Sequence, residues 1–89
     1  MDLDDHRARL GDADLRLTPT EFRLLAYLVE HAGQLATHRA VLRAVWGSGY
    51  AADVHLLRMT IRNLRMKLES AAPGSSVIKT EYGLGYRLA

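Results

Sequence analysis

Residues 53–69, DVHLLRMTIRNLRMKLE, contain neither Gly nor Pro, and Leu57, Ile61, Leu64 and Leu68 recur along them at spacings of four, three and four. That spacing predicts an α-helix over about 54–69 with a single apolar stripe. At 1.5 Å per residue it runs roughly 24 Å. Asp53 is placed as its N-cap, with a carboxylate at the positive end of the helix dipole. His55, Met59, Arg62 and Met66 fall opposite the stripe, flanked by Arg58 and Asn63. A helix with one continuous apolar stripe must bury it. The rest of the chain is therefore constrained to cover that stripe while leaving the basic face open.

Eighty-nine residues with 48% hydrophobic content suit one small globular domain spanning 1–89. The chain has no cysteine, which excludes disulfides, thiolate zinc sites and a cysteine nucleophile. No apolar run approaches the ~20 residues needed to cross a membrane, and the N-terminus has no signal-peptide pattern. A cytoplasmic protein with no membrane partner is expected. The net charge of +2 is unevenly spread. Residues 1–36 carry four arginines against seven carboxylates, a net −3, whereas residues 37–89 carry eight Lys and Arg against three carboxylates, a net +5. Such a division suits a protein that turns one face to a polyanion. With that charge, the basic outer face of 54–69 has the chemistry of a helix lying in a DNA major groove.

The first stretch, about 4–17, alternates as a pair of strands, Ala8 and Leu10 in one and Leu15 and Leu17 in the other, around the turn cluster Gly11-Asp12-Ala13-Asp14. Asp2, Asp4 and Asp5 read as a solvated, frayed terminus. Thr18-Pro19-Thr20-Glu21 combines an N-cap, Pro at the first helical position and Glu at the third, so a helix over about 19–32 opens with a capping box. Its expected core face is Phe22, Leu25, Ala26 and Val29, widened by Leu24 and Leu28, and Gly33 is placed to end it. Gln34 to Ala36 form a short link with room for one extended pair. Thr37 caps a second helix, about 38–46, with Val41, Leu42, Val45 and Trp46 as its stripe. A loop over 47–52 leads into the long helix, giving the order of a helix-turn-helix with a lengthened link. Residues 70–76 read as a loop. Residues 77–88 read as a hairpin of Val77-Ile78-Lys79-Thr80 and Gly85-Tyr86-Arg87-Leu88, with Gly83 and Gly85 assigned to turn geometry because no helix follows to make a phosphate loop. The predicted class is α+β: a winged helix-turn-helix of three helices, an N-terminal β-ribbon forming a truncated sheet, and a C-terminal β-hairpin wing.

Four segments carry a family resemblance: Leu17-Thr18-Pro19-Thr20-Glu21-Phe22, Val45-Trp46-Gly47, Leu64-Arg65-Met66-Lys67-Leu68-Glu69 and Gly83-Leu84-Gly85-Tyr86-Arg87-Leu88. In this order across 15–88 they resemble the effector domain of OmpR/PhoB response regulators. His55-Leu56-Leu57-Arg58 resembles the corresponding segment of the potassium-responsive KdpE type. The resemblance implies a bacterial transcription regulator that binds double-stranded promoter DNA at direct repeats. It would bind as a tandem dimer, monomeric when alone, under the control of a receiver domain absent from these residues. It implies phosphate contacts at Trp46, His55, Arg62 and Thr80, and base reading at Leu56, Arg58, Thr60 and Asn63. The loop with Gly47, Ser48, Gly49 and Tyr50 resembles the segment through which relatives touch RNA polymerase. Arg65 and Arg87 occupy signature positions that brace the fold.

At the wing, Tyr82 stands where some relatives carry arginine, so minor-groove insertion gives way to a phosphate contact along the backbone edge, with Lys79 and Thr80 adding attraction. His6, His31, His38 and His55 show no spacing that gathers a metal or a proton relay, so no enzyme, cofactor or metal is expected. The alternative is a winged helix used for protein contacts alone. The +5 charge of residues 37–89 separates the two, since a protein-binding wing has no need to concentrate it.

Overall fold

The computed structural model describes all residues except 1, 5, 6, 11, 12, 51, 75 and 76. The elements are β1 (Asp2–Asp4), β2 (Arg7–Leu10), β3 (Ala13–Leu15), α1 (Pro19–Glu30), β4 (Ala36–Thr37), α2 (His38–Val45), α3 (Val54–Ala71), β5 (Ile78–Glu81) and β6 (Gly85–Leu88), with a 3-10 turn at Ser48–Tyr50. They make two antiparallel sheets, β1-β2-β3 at the start and β4-β6-β5 at the end, around the three helices.

The N-terminal sheet has one strand more than the alternation predicts. Asp2–Asp4, expected as a frayed terminus, is β1, with Asp2 in register with Arg9 and Asp4 with Arg7. Three residues with two carboxylates show no apolar period, so only pairing along β2 reveals the strand. Ala13 and Asp14, expected in the turn, belong to β3, while Asp5, Gly11 and Asp12 lie outside the described residues.

The capping box forms at α1: Thr18 Oγ1 accepts from the Glu21 N–H at 3.1 Å, and Glu21 Oε1 accepts from the Thr18 N–H at 2.9 Å. The core face of α1 is rotated from the expected one. Glu21, Leu24, Leu25 and Leu28 point inward, and Phe22 and Val29 are only partly buried beside them. Apolar residues surround α1, so its period fixes no single face and the neighbouring helices choose one. Its second turn thereby carries Leu24 and Leu25 against α2 and α3. Thr37 Oγ1 caps α2 through the Ala40 N–H at 3.2 Å, and Asp53 Oδ1 caps α3 through the Leu56 N–H at 3.2 Å.

Leu57, Ile61, Leu64 and Leu68 of α3 are each at most 1% exposed, packed with Leu24, Leu25, Leu28, Val41 and Leu42. Among the described residues, one polar side chain, Glu21, is buried with this core. Glu21, only 5% exposed, accepts a hydrogen bond from the Lys67 ammonium as well as from Thr18. Burial alone would raise the pKa of the carboxyl, but the Lys67 ammonium and the Thr18 N–H together outweigh it and hold the pKa below the ordinary 4.5. The pair ties the start of α1 to the last third of α3.

In the C-terminal sheet β6 is central, paired with β4 through Ala36↔Tyr86 and Thr37↔Gly85 and with β5 from Ile78↔Leu88 to Glu81↔Gly85. The hairpin turns at Gly83, whose φ of +76° suits glycine. Gly85 opens the returning strand as expected, but it is glycine for a reason other than the turn geometry assigned to it. A Cβ there would sit on the Ala36 carbonyl oxygen and 2.8 Å from Thr37 Cα. The absence of a side chain is what lets β4 approach β6.

Two outcomes follow from these contacts. Because the Glu21 pKa is lowered on folding, its contribution is present above pH 4.5 and is lost as pH falls through the folded value. Glu21→Gln, which keeps an acceptor for the cap, should cost about 1–2 kcal/mol at pH 7, with the gap to wild type closing below pH 4.5. Urea titrations at several pH values check this, and a gap that does not narrow as pH falls below 4.5 contradicts it. Gly85→Ala should cost about 1–3 kcal/mol or more, because the clash is with backbone that cannot change rotamer. A urea midpoint equal to wild type would show that β4 does not depend on that close approach.

Candidate DNA interface

The outward side of α3 presents His55, Arg58, Met59, Arg62, Asn63 and Met66, all exposed, Met59 at 40% and Met66 at 59%. Its inward leucines fix this facing, since residues half a turn from a buried stripe must point to solvent. Leu56 and Thr60 sit on the flank, half-buried. The Thr60 hydroxyl donates to the Leu56 carbonyl at 2.9 Å, so toward a ligand it offers its lone pairs and its methyl group.

Arg65 joins this helix to the wing. Its Nε and Nη2 donate to the Ile78 carbonyl at 3.3 and 2.9 Å, and Nη2 also donates to Thr80 Oγ1 at 2.7 Å. The planar fork suits one carbonyl and one hydroxyl at once. Accepting from Arg65 leaves the Thr80 hydroxyl hydrogen for another acceptor. The Arg65 guanidinium also stands 5.7 Å from the centroid of the Tyr86 ring, which is 4% exposed. Arg87 braces the hairpin from its other side. Its Nε lies 3.2 Å from Glu81 Oε1, yet the N–H is not aligned for a hydrogen bond, so the contact is a Coulombic one.

Between α3 and the wing lies an open groove of about 370 Å³, lined by His38, Arg58, Ile61, Arg62, Arg65, Thr80, Tyr82, Gly83 and Tyr86. Among the described residues, three arginines line it and no Asp or Glu does. Of the residues singled out in the sequence, Arg58, Arg62, Thr80 and Tyr82 meet here, and Tyr82 is 90% exposed. His55 and Asn63 lie on the open helix face beyond the groove. Trp46 is half-buried at the C-cap of α2, with its backbone N–H on the Leu42 carbonyl at 2.9 Å. Lys79 is exposed and in register with Arg87. Strand alternation sets it on the opposite face of the hairpin from Thr80.

The loop before α3 is compact. Gly47 takes a φ of +104°, the Tyr50 N–H donates to the Gly47 carbonyl at 3.1 Å, and the Asp53 N–H to the Tyr50 carbonyl at 2.9 Å. Ser48, Gly49 and Tyr50 are exposed; Ala51 lies outside the described residues. Sequence reasoning missed His38 and Tyr86 as groove residues. Only the β4–β6 pairing carries His38 to the wing, and no local pattern encodes that. Among the described residues no group of three or more His, Cys, Asp or Glu could hold a metal ion, and no helix is long and apolar enough to cross a membrane.

Comparison with known proteins is consistent across sequence and structure. The family model described as transcriptional regulatory protein, C terminal, matches residues 12–88. The chain is 40% identical over 85 residues to the alkaline phosphatase synthesis transcriptional regulatory protein PhoP of Bacillus subtilis, covering 96% of this chain and 35% of that protein. It is 43% identical over 77 residues to the KDP operon transcriptional regulatory protein KdpE of Escherichia coli, covering 86% of this chain and 34% of that protein. The chain thus spans about a third of the length of these relatives. Among solved structures, the DNA-binding domain of CpxR from E. coli superposes with a TM-score of 0.78 at 35% identity, covering 92% of this chain and 80% of that one. The C-terminal DNA-binding domain of RstA from Klebsiella pneumoniae superposes with a TM-score of 0.83 at 31% identity, covering 98% and 81%. The chain belongs to the OmpR/PhoB-type family of transcriptional regulatory C-terminal domains, the winged-helix DNA-binding domains of two-component response regulators, which are transcription regulators and not enzymes.

Proposed function

We propose that this domain binds promoter DNA sequence-specifically, with α3 in the major groove and the wing on the adjacent backbone. The observation that carries this reading is the groove between α3 and the wing, lined by Arg58, Arg62 and Arg65 without a carboxylate. A phosphate chain passing there meets the Arg62 and Arg65 cations, while Arg58 is directed to the bases. Trp46, His55, Arg62, Lys79, Thr80 and Tyr82 contact phosphates and set the register. Leu56, Arg58, Thr60 and Asn63 read base edges. Tyr82 has no charge to favour the narrow minor groove and lies along the sugar-phosphate edge, its hydroxyl on a phosphate oxygen.

The 89 residues act as one domain in a longer regulator, cytoplasmic, with a receiver domain governing assembly. On direct-repeat sites the domain sits as a tandem dimer, while Gly47, Ser48, Gly49 and Tyr50 face RNA polymerase. Support for these finer statements comes from family membership and from the exposed, internally hydrogen-bonded loop.

The two arginines on α3 test the division between positioning and reading. On a site selected from random duplexes and on random DNA alike, Arg62→Ala should weaken binding by a similar factor and lower the slope of log K against log salt by about one unit. Arg58→Ala should cost about 1–3 kcal/mol on the selected site and much less on random DNA. Equal losses on both DNAs for Arg58→Ala would remove it from base reading.

A further inference from the structure

His38 lies in the groove but has no place in the contact set above. It opens α2 directly after the N-cap Thr37, and its backbone N–H donates to the Leu84 carbonyl at 3.2 Å, which locks the start of α2 to the wing turn. Its ring stands edge-on to Tyr86, centroids 5.7 Å apart. Neither ring nitrogen has a hydrogen-bond partner among the described residues, and the side chain is half-buried on the groove wall.

The groups facing it are cationic or neutral from every side. Arg58, Arg62 and Arg65 face it from α3, and Thr80, Tyr82 and Tyr86 from the hairpin. On its own helix Arg39 is adjacent and exposed. Lys79, Glu81 and Arg87 belong to the other face of the hairpin by strand alternation. Among the described residues, therefore, no carboxylate of the groove lining competes for an imidazolium at this place. A phosphate ester drawn in by the three guanidiniums supplies the missing anion, and protonated imidazole offers two N–H donors to it.

We propose that His38 is a phosphate-contacting residue of the DNA interface and that its protonation accompanies binding, so that affinity for duplex DNA rises as pH falls. The proposal rests on the DNA-binding reading above and adds to it a residue and a proton. The α2 start then contributes to the interface together with α3 and the wing.

The test is fluorescence anisotropy of a labelled random-sequence duplex at pH 6 and pH 8 and constant ionic strength, with wild type, His38→Gln, His38→Arg and His55→Gln. Wild type should bind roughly fivefold tighter at pH 6, the gain of one added phosphate cation. His38→Gln should lose most of that gain, and His55→Gln should retain the part due to His38. His38→Arg, permanently charged, should bind at pH 8 more tightly than wild type and keep on acidification only the part of the gain due to His55. A His38→Gln protein with the full wild-type gain overturns the proposal, as does a His38→Arg protein weaker than wild type at pH 8. Wild type that fails to bind duplex DNA at either pH in low salt would instead overturn the DNA-binding reading itself.

Discussion

The Arg65 guanidinium makes α3 and the wing one surface. Its donors on the Ile78 carbonyl and the Thr80 hydroxyl cross from the middle of the long helix to the first strand of the hairpin. Hairpins of two strands are marginal alone, and this one is held on three sides. Arg65 grips β5, β4 pairs with β6, and the Leu88 carbonyl accepts from the Gly33 N–H at the end of α1. A lysine would offer a point charge where the planar fork spans a carbonyl and a hydroxyl. Of these three anchors, Arg65 is the one that ties the wing directly to α3 across the groove.

Behind this surface the helices are fixed by a core in which α3 contributes four fully buried side chains. Glu21 and Lys67 add a polar lock between α1 and α3. The carboxyl is shared between the α1 cap and the ammonium, so a single residue both starts one helix and sets its position on another. The inner half of α3 is spent on stability, and its outer half is free to carry His55, Arg58, Arg62 and Asn63. The buried stripe keeps those side chains, the ones proposed to meet DNA, on a rigid element, as precise readout requires.

Much of this was legible because it is local. The four-three-four spacing of Leu57, Ile61, Leu64 and Leu68, the capping box at Thr18, the N-caps at Thr37 and Asp53, and the glycines at 33 and 83 each encode geometry within a few residues. What was not legible depends on partners distant in sequence. The strand Asp2–Asp4 exists through β2, the facing of α1 through α2 and α3, and Gly85 through the carbonyl of Ala36. The site shows the same division. Arg58 and Arg62 could be placed on the outer face from periodicity alone, but His38 reaches the groove only because β4 pairs with β6. The capping pattern gave Glu21 a role at the helix end and gave no sign of Lys67, which is 46 residues away.

We propose that the outer face of α3, the start of α2 and the wing form one DNA-binding surface. Amide chemical-shift mapping during titration with duplex DNA tests it most directly. The expected perturbations fall on residues 55–66, on His38 and on 79–83, while Arg23, Tyr27 and Glu30 on the solvent side of α1 stay in place. Perturbations centred on α1 or the N-terminal sheet, with α3 and the wing unmoved, would contradict it.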